Sequence, residues 1–373
     1  MSQTSKRSVA TKRPKPRPNS AKRTPMQNPY VSQPPSAFWN TAVSEFSPME
    51  MDGVYEPRFE ITKDMRISAA GSCFAQHIAR QFRLRGYNFM DFEPAPSLVD
   101  EETADEFGYG HYSARYGNIY SVRQLIQLFA RAYDRFTPAD KVWENGGRFY
   151  DPFRPSIQKG GFATKAECLL ERDHHLNCVK AMLEQTDVFV FTFGLTEAWE
   201  NTTDRAVLPT CPGTIAGEFD PSVYAFKNFR FAEVLRDTKT FIRFAHEHNP
   251  DMKFLFTVSP VPLKATATDQ HVLPATVYSK SVLRAVCGEL MMEHNFVDYF
   301  PSYELVASHP MRGAFYRPDM RDVAAEGVAR VMDIFFRAQG DAGIDQQTLS
   351  DAPKVAVAAD VHCDEEILEM FSS

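Results

Sequence analysis

Apolar runs of strand length alternate along the chain with longer stretches in which apolar residues recur every three or four positions. Asp187-Val-Phe-Val-Phe-Thr-Phe is apolar at almost every step, the pattern of a strand buried on both faces of a parallel sheet. Lys253-Phe-Leu-Phe-Thr-Val-Ser259 repeats it, and shorter runs at 66–70 and 295–300 complete four predicted strands. Between them the period lengthens. Phe74, Ile78 and Phe82 mark one face of a helix that Gly86 closes, and Val122, Leu125, Ile126, Leu128 and Phe129 mark another over Ser121 to Tyr133. Further helices are predicted over Lys165 to Gln185, Arg230 to His248, Tyr278 to His294 and Asp322 to Phe336. Strands and helices in alternation define an α/β fold: a three-layer sandwich around a parallel sheet, with its site in the loops at the carboxyl ends of the strands.

Outside that pattern the chain changes character. Residues 1–36 mix Lys, Arg, Pro, Ser and Thr with little to bury and are predicted to be a disordered basic tail. Residues 37–337 form the predicted α/β domain, in which an aromatic, proline-containing lead-in (Phe38 to Asp64) packs across the body before the first strand. Residues 338–373 are predicted to be a loosely ordered acidic tail. Eight cations and no acid fall in the first thirty residues of a chain with formal charge −7, so the remainder carries −15. The tail alone suggests nucleic acid, which is not the expected partner. Six scattered cysteines without a Cys-x-x-Cys pair give neither a disulfide framework nor a metal site, and no metal or cofactor is expected. His174 and His175 lack partners at ligand spacing. No apolar run reaches membrane-span length and no secretory core follows the basic start, so the expected location is the cytoplasm. Oligomeric state is not encoded in any of these patterns.

The candidate chemistry centres on Ser72. Ala69-Ala70-Gly71 allows a sharp bend between the first strand and its helix, and a hydroxyl there projects from a strand's carboxyl end beside amide N–H groups that can hold an oxyanion. The plainer alternative is a serine capping a helix. Gly71-Ser72-Cys73-Phe74-Ala75 resembles the signature of the GSCFA family, related to the SGNH (GDSL-like) hydrolases, over roughly residues 60 to 337. The resemblance implies a flavodoxin-like strand order, a nucleophilic role for Ser72 and an oxyanion donor at Gly117-Asn118. It also places Gly194-Leu-Thr196-Glu197 where SGNH enzymes carry Gly-x-Asn-Asp. Thr196 is able to donate a hydrogen bond; the Glu197 carboxylate is not, and is a candidate for orienting a substrate hydroxyl.

A serine esterase needs a histidine to accept the hydroxyl proton and an acid to orient the ring. The corresponding Asp-x-x-His segment is here Asp319-Met-Arg-Asp322, with the acid kept and the histidine replaced. His271, after the Ser259-Pro-Val-Pro-Leu263 segment, is the first candidate base; His309 and then His77 follow. The expected activity, implied by the resemblance, is a serine-dependent O-acyl esterase or acyltransferase acting on an acylated carbohydrate, such as a surface polysaccharide. The alternative is a catalytically silent module of the same fold that binds a glycan or a protein partner.

Overall fold

The computed structural model describes residues 28–341 and 364–371. The first 27 residues of the predicted basic tail, and residues 342–363 of the acidic one, lie outside the described residues. Residues 28–45 belong to a unit of their own, made of short turns at Pro29–Ser32, Pro35–Ala37 and Asn40–Ser44 with no buried side chain.

The second unit, from Phe46 onward, is built on the predicted sheet. In chain order its strands are β1 (Ile67–Gly71), β2 (Trp143–Asn145), β3 (Arg148–Tyr150), β4 (Val188–Phe193), β5 (Glu197–Asn201), β6 (Val207–Leu208), β7 (Tyr224–Asn228), β8 (Lys253–Val258) and β9 (Val297–Tyr299). Its helices are α1 (Phe74–Leu84), α2 (Glu101–Glu106), α3 (Val122–Ala132), α4 (Lys165–Gln185), α5 (Phe231–His248), α6 (Val272–Glu293), α7 (Ser302–Ala307) and α8 (Ala325–Ala338). The central sheet is parallel throughout in the order β1-β4-β8-β9. Beyond β1, Phe89 adds one parallel bridge to Ile67. The helices sort into two groups that cover the sheet, α1, α7 and α8 in one and α3, α4, α5 and α6 in the other, an arrangement compatible with a three-layer α/β sandwich.

Phenylalanine supplies much of the core. Phe129 of α3 stacks on Phe241 of α5 at 5.6 Å, and Phe241 meets Phe254 of β8 edge-on at 5.7 Å. In the other group Phe82 of α1 contacts Phe335 and Phe336 of α8 at 5.6 and 5.1 Å. Fully burying one such ring is worth about 1.5–3 kcal/mol, so these contacts fix where α1 and α3 leave the sheet. The part of the lead-in that belongs to this unit packs on it through Tyr55, which is buried, stacks on Phe335 and donates its hydroxyl to Asp298 Oδ2 at 2.7 Å.

Three stretches depart from expectation. The segment after Gly194 is no loop, because Glu197 opens β5 in an antiparallel sheet ordered β6-β5-β7. Residues 143–150, for which no strand is predicted, form the β2–β3 hairpin, whose strands of three residues are too short to show a period. Helix α6 begins at Val272, six residues before the predicted Tyr278. Pro274 lies in its first turn, where the missing N–H costs nothing, and His271 Nδ1 caps it by accepting the Leu273 N–H at 3.1 Å.

Candidate functional site

Ser72, Gly194 and Ser259 follow the carboxyl ends of β1, β4 and β8, on one edge of the sheet. Gly71 makes the turn into Ser72 with φ +138°, and a Cβ at that position would lie 2.3 Å from the Thr192 carbonyl oxygen and 2.7 Å from its nitrogen. Backbone cannot yield, so glycine is required. Gly194 is equally confined: a Cβ there would lie 3.0 Å from the Tyr120 ring and 3.1 Å from Ser72 Cβ. The loop carrying Gly117 and Asn118 is sewn over both strands, with the Ile119 N–H donating to Gly71 O at 2.8 Å and the Gly194 and Leu195 N–H groups both donating to Tyr120 O at 3.0 Å.

Within this crevice Ser72 is 2% exposed, and its Oγ has no hydrogen-bond partner. A buried hydroxyl left unbonded costs stability; Thr192 Oγ1 and Thr196 Oγ1 nearby are in the same state, as is Thr210 Oγ1 among the described residues. The Ser72 N–H, expected to face an oxyanion, instead donates to Thr192 O at 3.1 Å. Thr196 is fully buried, its N–H held by Ser279 Oγ at 3.0 Å. The neighbouring Lys280, 1% exposed, donates from Nζ to Gly194 O at 2.8 Å. Ser279 and Lys280 thus pin the Gly194–Thr196 turn from α6. Ser279 stands in register with buried Ala275, Val282, Val286 and Leu290, and a polar residue in that stripe was the available sign of its role.

Asn118 is buried beside Tyr112, whose hydroxyl donates to Asn118 Oδ1 at 2.5 Å and lies 3.3 Å from the Ser72 carbonyl. The Asn118 amide Nδ2 donates to Asp364 Oδ2 at 3.0 Å. Gly117 and Asn118 line a cavity of about 340 Å³ together with Gln76, Tyr112, Ser156 and Ile157. Asp364 and Ile367 border it from the C-terminal 3-10 helix, Asp364–Phe371.

The candidate bases are not bonded to Ser72. His271 is exposed and spends Nδ1 on capping α6; His309 is exposed in a short turn; His77 packs edge-on against Phe74 at 5.6 Å. Asp319 is exposed and accepts the N–H groups of Arg321 and Asp322 at 3.0 and 3.1 Å. Burial works to raise its carboxyl, but those N–H groups and Arg321 hold it below the ordinary range. Glu197 accepts from Thr266 Oγ1 at 2.7 Å, and partial burial raises its carboxyl.

The Asp151-Pro-Phe-Arg154 stretch turns its charges inward, with Asp151 and Arg154 both buried. Asp151 is bonded by Arg154 Nε and Arg172 Nη2 at 3.0 Å each, and Arg115 pairs with Glu171 at 2.7 Å. His175 Nδ1 lies 2.7 Å from Glu93 Oε2, which also accepts the Arg115 N–H at 2.8 Å. Burial, then Arg154, pushes the His175 ring down to about 4. Burial works against the Glu93 carboxylate, yet His175, Arg154 and the Arg115 N–H outweigh it and hold the carboxyl at about 2. His174 meets Cys178 instead, so the two adjacent histidines face different partners.

Fold and crevice together define a mixed α/β protein with a buried, unbonded serine at the carboxyl edge of a parallel sheet. The GSCFA family model matches residues 66–335, and the chain belongs to the GSCFA family. A search of curated proteins finds no match. No described helix is long and apolar enough to cross a membrane.

Proposed function

We propose that this protein is a serine-dependent O-acyl esterase or acyltransferase of SGNH type, working in the cytoplasm on an acylated carbohydrate through Ser72. The observation that carries the proposal is the Ser72 hydroxyl, buried at the exit of β1 with its Oγ unbonded and Gly194 against its Cβ. The parallel positions, counting the Phe89 bridge, follow the sequence order 2-1-3-4-5 of flavodoxin-like sheets, which supports the SGNH placement. Ser72 attacks the ester carbonyl, its proton passes to a base, and the alcohol leaves. Water or a second hydroxyl then releases the acyl group. Thr196 Oγ1 and Asn118 Nδ2 are the proposed oxyanion donors, with Gly117 leaving room for the substrate and Gly194 letting Tyr120 and Ser72 approach the turn. Glu197 is proposed to orient a sugar hydroxyl.

For the base, His271 remains the proposal and Asp319 its acid, with His309 as the substitute. A swing of the His271 loop is then required to release the α6 cap. A fluorophosphonate probe tests the nucleophile: labelling is expected in the natural chain and absent in Ser72→Ala. Loss of several orders of magnitude in acyl transfer is expected for His271→Ala and a mild effect for His309→Ala; the reverse result exchanges them. A natural chain that stays unlabelled favours a catalytically silent glycan- or protein-binding module.

A further inference from the structure

The cavity beside Asn118 is walled on one side by a later segment of the same chain. Asp364 places its two carboxylate oxygens on two neutral donors, Asn118 Nδ2 at 3.0 Å and Ser156 Oγ at 2.6 Å. One turn further on, Ile367 borders the cavity along with Ile157 and Ile215. The rest of the helix is tied down outside the cavity, Glu365 to Arg321 at 3.4 Å and Glu369 to Lys264. Lys264 follows β8 and Arg321 lies between β9 and α8, so the helix reaches across loops of the sheet edge that carries Ser72. Its Asp364 contact, Asn118, shares Tyr112 with the Ser72 carbonyl.

The contact chemistry describes a ligand. Two donors converging on a pair of oxygens joined to one carbon fit a carboxylate or an ester, and the isoleucines fit a short aliphatic group attached to it. We infer that this cavity is the acyl-binding site and that the Asp364–Phe371 helix is its built-in competitor, Asp364 standing where the ester oxygens bind and Ile367 where the acyl chain lies. The inference deepens the esterase proposal and rests on it for the identity of the ligand; occupancy of the cavity is independent of it. Among the described residues the helix is held by the Asp364 contacts and by ion pairs at Glu365 and Glu369, the first largely buried and the second open to solvent on its acidic side. The Lys264–Glu369 pair reaches solvent, where ion pairs are weak and screened by salt, so substrate displaces the helix from that end.

The test uses the full chain carrying Asp364→Ala and Ile367→Ala, and a fluorescent peptide with the sequence of residues 364–371. The variant is expected to bind the peptide at least about tenfold more tightly than the natural chain, as follows from removing hydrogen bonds to a charged carboxylate. Adding Asn118→Ala and Ser156→Ala is expected to abolish that binding. Ser72 labelling by the fluorophosphonate should be about tenfold faster in the double variant and slowed again by peptide. Equal peptide binding to natural and variant chains overturns the competitor. Peptide binding with unchanged labelling overturns the link between cavity and serine. If neither chain is labelled, the esterase proposal and the acyl assignment fall together, while the anisotropy still decides occupancy.

Discussion

Thr196 and Lys280 separate, at the scale of single residues, what holds the crevice from what works in it. Thr196 Oγ1 is buried and bonded to nothing, so Thr196→Val removes an unsatisfied group at nearly constant volume. Its melting temperature is expected to stay level or rise slightly, while acyl transfer falls about a hundred- to a thousandfold if that hydroxyl is an oxyanion donor. Full activity in Thr196→Val leaves Asn118 as the side-chain donor. Lys280 is the opposite case. Lys280→Met takes away a donor to the Gly194 carbonyl, and a loss of about 1–3 kcal/mol is expected in denaturant unfolding, with activity lost through displacement of the turn. Neither role was visible along the chain: Thr196 was found only because a family pattern marked its position, and Lys280 looked like any helix lysine. A charged side chain becomes informative once the sheet shows that it has nowhere to go but inward.

Among the elements, α4 packs Val179, Met182 and Leu183 into the core and, toward its amino end, buries the charged or titratable Arg172 and His175, and the latter group is expected to make the fold sensitive to acid. His175 titrates at about 4 in the folded chain against an ordinary 6.5, so between those values only the unfolded chain takes up the proton and stability falls as pH drops. Glu93, at about 2 against 4.5, extends the loss: its contribution is complete above 4.5 and disappears toward 2. Melting temperature is therefore expected to decline continuously below pH 6.5, and His175→Gln should flatten the limb between 6.5 and 4. An unchanged limb in that variant assigns it to other histidines. Strands β4 and β8 were legible from their apolar runs alone, because burial on two faces leaves a run of Val, Phe and Leu that no loop shares, whereas β1 and β9 are short and mixed in composition. The charge cluster was not, since Asp151 and Arg154 sit in a Pro-rich stretch that looks solvated, and their partners Arg172 and Glu93 are distant in sequence. The antiparallel strands of 197–228 were missed for a different reason: β6 has two residues, and β5 and β7 carry mixed faces. Helix α6 starts six residues before the predicted Tyr278, at a cap supplied by a histidine, which is not among the usual capping residues.

At the scale of the whole molecule, the second unit is fastened by a bond from near its beginning to its last strand. Tyr55→Phe removes the hydroxyl donated to Asp298 but keeps the stacked ring, and leaves the buried carboxylate with the Arg58 N–H at 3.0 Å. A loss of about 1.5–3 kcal/mol is expected, read as a lower denaturation midpoint with an unchanged slope. The same contact spans 243 residues of sequence. On the ribosome Tyr55 therefore emerges long before Asp298 has been made, and at a synthesis rate of about 5–20 residues per second it waits on the order of ten seconds or more without its partner. During that interval the Tyr55 ring also lacks Phe335, on which it stacks in the finished fold, and is open to non-native apolar contacts.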